Sequence, residues 1–305
     1  MDHIHREGQM KKSIVLSALI IVAAFVSCQT VPVTADYAKT YAEAYAKGFE
    51  DGFNKAEKLG VAGNNPYQEP YNDIGALDKD SVAYPVQKND LKKVKELLEA
   101  GRPADELDPN GYSPLQLAAR LGFLPIADYL VSKGADVNFQ SSDGYTPLKE
   151  AVTYRKTPMA EFLIKKGADV NFTDSSGASI LYFAAQAGDQ ALVKLLIEKK
   201  TALEQKLVSG GWTALLVAAS YGFHPIVALL AEAGADVNAR ETTSGKTALF
   251  YVIPSGNAAT VKLLLDKGAR TDVADNNGDT PILLAKRMNL PAIIELLEKK
   301  ATPGT

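Results

Sequence analysis

His224 is the residue around which acid–base or nucleophilic chemistry in this chain would have to be built. The chain has three histidines and one cysteine, and His3 and His5 fall in a segment read below as a cleaved leader. A Ser-His-Asp arrangement would rest on His224 alone, with no second histidine or thiol beside it, and no Gly-x-Ser-x-Gly elbow presents a serine to it. No glycine-rich loop precedes a Lys-Ser/Thr pair, so a phosphate cradle is absent. The recurring Asp-Val-Asn triplets at Asp136, Asp169 and Asp236 lack the spacing and closing glutamate of a calcium loop. Their carboxylates are expected to organise turns by side-chain to backbone hydrogen bonds. His224, next to Pro225 and just after Gly222, is assigned a structural role. The expectations are therefore no catalytic residues, no metal, no cofactor and no enzyme activity.

The elements that carry these residues repeat. Gly111, Gly144, Gly177, Gly211, Gly245 and Gly278 each open a Gly-x-Ser/Thr-x-Leu/Ile block, at intervals of 33, 33, 34, 34 and 33 residues. A second marker, Gly-Ala-Asp-Val-Asn, keeps the same period at Gly134, Gly167 and Gly234, with a weaker copy at Gly268. In each block the Ser or Thr (Ser113, Thr146, Ser179, Thr213, Thr247, Thr280) stands where a helix should start. Its hydroxyl can accept from the free N–H groups of the first turn. Pro114, Pro147 and Pro281 follow at the one helical position where a missing N–H is harmless. Short apolar runs with paired alanines come next, then a second helix at 3.6-residue spacing, as in Ile126, Tyr129 and Leu130. Gly134, Gly167, Gly234 and Gly268 end those second helices in the left-handed region. Lys200 holds the equivalent place in one repeat, at an expected cost of about 1 kcal/mol relative to glycine. Such a unit cannot bury its own apolar face, but stacked copies can. Residues 81–107 read as a degenerate first copy and 293–300 as the closing helix.

These blocks resemble the ankyrin repeat, over roughly residues 78 to 305. The resemblance implies an all-α solenoid of helix-turn-helix units joined by β-hairpin-like loops, with about six full or near-full repeats plus a degenerate N-terminal cap. Two departures stand out. The family's histidine after the Thr-Pro-Leu block is absent from every copy, and residues 200–204 replace one Gly-Ala-Asp-Val-Asn block. The resemblance also implies where binding occurs. The residue after each register glycine projects from the hairpin toward a concave face: Tyr112, Tyr145, Ala178, Trp212, Lys246 and Asp279. The pairs ending the first helices, Arg120-Leu121, Thr153-Tyr154, Gln186-Ala187 and Ser220-Tyr221, line the same groove. Tyr112, Arg120, Tyr145, Tyr154, Trp212, Tyr221 and Lys246 are the candidate protein-binding residues, a composition typical of interaction hot spots. Each ring either packs on its own neighbouring repeat or belongs to a contact surface.

The N-terminus reads as an address. Lys11-Lys12 precede an uncharged stretch from Ile14 to Val26 and then Ser27-Cys28. That is a secretory signal peptide over residues 1–27, with Met10 as the start, and it is too short to span a membrane. Phe25-Val-Ser-Cys28 resembles a bacterial lipoprotein signal, which implies lipidation of Cys28 and a membrane tether in a cell envelope. Residues 28–59 hold that tether and a helix with Tyr37, Tyr41, Tyr45, Phe49 and Phe53 on one stripe. The stripe serves as an extra cap on the first repeat, as a surface for self-association or another envelope component, or as part of a loose tether. Residues 60–77 form a linker. Loss of residues 1–27 removes three basic and two acidic residues from a chain of net charge −3 and leaves −4. That mild acidity argues against nucleic acid as a partner. The expected function is protein binding through an aromatic-rich groove; the alternative is a glycan-binding protein using the same rings, or an envelope-structural protein self-associating through residues 37–53.

Overall fold

The computed structural model describes residues 80–301, all within one unit of the chain, residues 69–305. The leader, Cys28, the Tyr37–Phe53 row and the linker lie outside the described residues. Among the described residues fourteen α-helices run in seven antiparallel pairs: α1 Ala83–Gln87 with α2 Leu91–Glu99, α3 Pro114–Leu121 with α4 Leu124–Ser132, α5 Pro147–Thr153 with α6 Thr157–Lys165, and α7 Ile180–Ala187 with α8 Gln190–Glu198. Then come α9 Ala214–Ser220 with α10 His224–Glu232, α11 Ala248–Val252 with α12 Ala258–Asp266, and α13 Pro281–Arg287 with α14 Pro291–Ala301. A 3-10 turn, Ile253–Ser255, extends α11. The described residues contain no strand; one isolated antiparallel bridge joins Thr173 to Ser179.

The starts of the first helices follow from their hydroxyls. Ser113 accepts from Gln116 N at 3.3 Å, while Gln116 Oε1 accepts from Ser113 N at 2.9 Å, a closed capping box. Thr146, Ser179, Thr213 and Thr280 accept from the backbone three residues on. Thr247 corrects the expectation: its side chain caps nothing, because Phe250 N donates instead to the Thr247 carbonyl at 3.1 Å. That tight bond belongs to a short helix that soon passes into the 3-10 turn.

Stacking provides the core. Leu115, Leu148, Leu181, Leu215 and Leu249 are buried, one from each successive block. Ala118, Ala151, Ala184 and Ala218 are fully buried beside them, so adjacent first helices approach closely. The second helices stack in a parallel row, α4 on α6, α6 on α8 and α8 on α10. Truncating one of these buried leucines to alanine would cost about 2–5 kcal/mol.

Side chains also close each junction along the second marker. Asp136, Asp169 and Asp236 accept from the backbone N–H of Asn138, Asn171 and Asn238 at 2.8–2.9 Å, the turn role expected of them. The asparagines then reach forward. Asn138 Oδ1 accepts from Asp169 N at 2.8 Å, Asn171 Oδ1 from Ala202 N at 2.9 Å, and Asn238 Oδ1 from Arg270 N at 2.9 Å. Glu204 does the same for Asp236 N at 2.8 Å in the repeat that lacks the marker, and Asp105 does so in the degenerate first copy.

Among the described residues four turns hold a side chain in left-handed backbone, two of them with asparagine (Asn89 and Asn289) and two with a long basic residue (Arg155 and Lys200). Gly101, Gly134, Gly167, Gly234 and Gly268 end second helices at φ between 92° and 95°, while Lys200 sits there at φ 59°. The shift to 59° is toward the narrower well open to an L-residue. Arg155, at φ 54°, occupies the turn within the repeat where Gly122, Gly188, Gly222 and Gly256 stand elsewhere. Lys200→Gly and Arg155→Gly should each raise stability by about 0.5–1 kcal/mol, the strain relieved less the extra unfolded-state entropy of glycine. Urea midpoints check this; unchanged or lower midpoints would mean the two turns carry no strain.

Candidate functional site

Four of the seven candidates meet on the face formed by the hairpins and first helices. Arg120, at the end of α3, reaches Glu150 on α5. Its Nε and Nη2 donate to the two carboxylate oxygens at 3.0 and 2.8 Å. The Arg120 side chain is 13% exposed and that of Glu150 is fully buried. The guanidinium lies over the Tyr112 ring, 4.8 Å from its centroid, and over the Tyr154 ring at 5.3 Å. Next to Glu150 in the chain, Lys149 Nζ stands 3.9 Å from the Tyr145 centroid and 5.3 Å from that of Phe183, and donates to Asp174 at 2.9 Å. Gln116 Nε2 donates to the Tyr145 carbonyl at 2.7 Å, tying the second hairpin to α3. The Tyr112 hydroxyl donates to Asp143 Oδ2 at 2.5 Å, so the first hairpin is tied to the second.

Lys149 and Glu150 were missed in the sequence, although a signal was there. They occupy the two positions that hold Gln116-Leu117, Tyr182-Phe183, Leu216-Val217, Phe250-Tyr251 and Leu283-Leu284 in the other repeats. Two adjacent charges at the inner surface of one repeat, buried in the fold, need partners supplied by other repeats. Arg120 and Asp174 are those partners.

The titrating groups respond to this setting. Burial raises the Glu150 carboxyl above its ordinary range, and the two Arg120 hydrogen bonds pull it back without cancelling the shift. Burial, then the bond to Asp143, pushes the Tyr112 hydroxyl up; burial raises Tyr145 and Tyr154 as well. At Asp143 burial acts upward too, but the hydroxyls of Ser141 and Tyr112 outweigh it and hold the carboxyl low.

The remaining three candidates lie apart from this cluster. Trp212 packs on Tyr251 of the next repeat, ring centroids 5.4 Å apart at 40°. The Tyr251 hydroxyl is pushed up to about 12, mainly by burial. Tyr221, 45% exposed, stacks on Phe223 at 5.8 Å and 10°. Lys246 follows Gly245 on the fifth hairpin, where its backbone N–H donates to Glu241 at 3.0 Å. Ala178, at the same hairpin position, is buried. Asp279, in the last hairpin, accepts from Arg287 Nη2 at 2.7 Å.

His224 opens α10, and neither ring nitrogen has a hydrogen-bond partner. Burial lowers its pKa. Among the described residues no group of three or more His, Cys, Asp and Glu side chains could hold a metal ion.

Two predictions follow from these buried charges. Glu150→Ala strands the Arg120 guanidinium and should cost about 3 kcal/mol, whereas the double change Arg120→Met, Glu150→Leu should recover most of it. A double-mutant cycle built from Arg120→Met and Glu150→Leu, read by chemical denaturation, checks this; single losses that simply add in the double variant would show that the pair is not coupled. For His224 the folded pKa lies below the unfolded value of about 6.5, so the unfolded chain binds the proton more readily. Stability should therefore fall as pH drops through the window below about 6.5, and His224→Leu should flatten that slope while leaving the acid loss near pH 4 from Asp143 and Asp174 in place. Identical slopes in the two proteins would contradict it.

Comparison with known proteins places this geometry. The family model for ankyrin repeats matches in three copies, over residues 82–174, 171–241 and 238–305. The crystal structure of the human ASB11 ankyrin repeat domain superposes with a TM-score of 0.59 at 23% sequence identity, covering 73% of this chain and 99% of that one. That likeness bears on the fold alone. A search of curated protein sequences gave no match. Ankyrin repeats serve as protein–protein interaction modules, and this chain belongs to the ankyrin repeat family.

Proposed function

We propose that this protein is exported, held to a membrane of a bacterial cell envelope by a lipid on Cys28, and binds a protein partner in a concave groove lined by aromatic side chains. The observation that carries the groove is the cluster of Tyr112 and Tyr154 around Arg120, with Tyr145 on the neighbouring Lys149, drawn from successive repeats and fixed by internal bonds. Rings already held in place lose little freedom when a partner covers them, and Tyr and Arg are enriched at interface hot spots. The internal bonds and the binding role are compatible: each ring is half-buried, with area left for a partner. The address rests on the leader pattern ending at Cys28 and on the lack of any other cysteine in the chain. A tether would concentrate the repeats near envelope partners.

A photo-crosslinking amino acid at Tyr145, and as a control at Phe162 on the second-helix face, tests the reading in cells. The expected result is a discrete protein adduct from position 145 that position 162 does not give. No adduct, or the same adducts from both, would count against the groove. In the same cells Cys28→Ser should abolish fatty-acid labelling and release the protein from the membrane fraction; retained labelling would remove the anchor from the proposal.

A further inference from the structure

The groove reading leaves the chemistry of the partner open, and the charges of the hairpins narrow it. The first three hairpins, residues 102–112, 135–145 and 168–178, hold seven Asp and Glu against one Arg, Arg102, which is paired with Glu106. The last three, residues 201–212, 235–246 and 269–279, hold six Asp and Glu against four Lys and Arg. The negative field is thus concentrated at the end of the array that also carries the tyrosine cluster.

Within that cluster the accounting is specific. Arg120 is matched by Glu150 and Lys149 by Asp174. Asp143 is the third carboxylate: Ser141 Oγ donates to Oδ1 and Tyr112 Oη to Oδ2, each at 2.5 Å, and Lys149 acts on it through space, without an ion-pair contact. A carboxylate has about four acceptor positions, so two remain for an incoming donor. Asp143 sits on an exposed hairpin, two residues from Tyr145 and bonded to Tyr112. An acidic ligand would find both cluster cations already satisfied and would face Asp143. A polyanion would meet the same repulsion along all three hairpins.

We propose that this end of the groove takes a basic segment of an extended polypeptide, with an arginine or lysine seated against Asp143 and flanked by the Tyr112 and Tyr145 rings. The proposal rests on the groove reading above and gives that groove a ligand class. The fork of a guanidinium matches the free carboxylate positions, and its plane can lie on a tyrosine face. The rest of the acidic hairpin row steers the segment and makes binding salt-dependent.

The test uses the full chain in mild detergent and fluorescence anisotropy. The probes are short Gly-Ser peptides carrying evenly spaced arginines, with glutamine and glutamate counterparts. The arginine peptide should bind tightest, weaken as salt rises, and lose about threefold to fivefold in affinity on Asp143→Asn. Asp143→Glu should keep the affinity. Asp128→Asn, an equal change of charge on α4, should leave it nearly unchanged. Equal binding of the arginine and glutamine peptides, or equal losses from Asp143→Asn and Asp128→Asn, would overturn the proposal. The two readings fail separately: a crosslink from position 145 into an acidic or neutral segment of a partner would remove the basic ligand and leave the groove, whereas absence of any crosslink removes the groove itself.

Discussion

Burial between consecutive helix pairs is the interaction on which everything else in the described chain depends. One pair offers an apolar stripe on each helix and has no third element of its own to cover it. Leu115, Leu148, Leu181, Leu215 and Leu249 go to zero or near-zero exposure only because the next pair lies against them. The small Ala118, Ala151, Ala184 and Ala218 set the spacing, and that spacing brings Arg120 of one repeat within hydrogen-bond reach of Glu150 in the next. The side-chain cluster on the hairpin face is therefore a product of stacking rather than of any single repeat, as nearest-neighbour arrays require.

The fold was legible because the period puts the same chemistry at the same place many times. Helix starts could be read from Ser113, Thr146, Ser179, Thr213 and Thr280, and the left-handed place of Lys200 from its alignment with Gly134 and Gly167. Thr247 escaped because its helix is too short for the hydroxyl to compete with a 3-10 bond. The site was legible in part. Hairpin and helix-end positions pointed to Tyr112, Arg120, Tyr145 and Tyr154, which do come together. The groups that hold them, Glu150, Lys149, Asp143 and Asp174, lie 25 to 31 residues from the partners they bind. Such pairings depend on distances across a junction, which neither local pattern nor composition encodes.

The cluster also illustrates how a buried ion pair is tolerated. Taking Glu150 fully out of water carries a penalty that its attraction to Arg120 only offsets when both oxygens are bound in good geometry. Hydrophobic residues at the same inner position, as at Leu117 and Val217, avoid the penalty altogether. What the charged version adds is orientation. A guanidinium clamped by two bonds holds Tyr112 and Tyr154 against its faces, and the hydroxyl of Tyr112 in turn fixes the second hairpin through Asp143.

The forward hydrogen bonds of Asp105, Asn138, Asn171, Glu204 and Asn238 make five successive junctions chemically alike. Each is an oxygen on one turn accepting from a backbone N–H about one period later, and the donor needs no particular side chain. A crossover that deleted or duplicated one unit in the coding sequence would rejoin an oxygen such as that of Asn138 to the turn of a different repeat, with the same bond restored. Array length is thus free to drift under recombination, while the repeat bearing Lys149 and Glu150, whose partners Asp174 and Arg120 are particular residues in its two neighbours, is the one that such exchange cannot shuffle without loss.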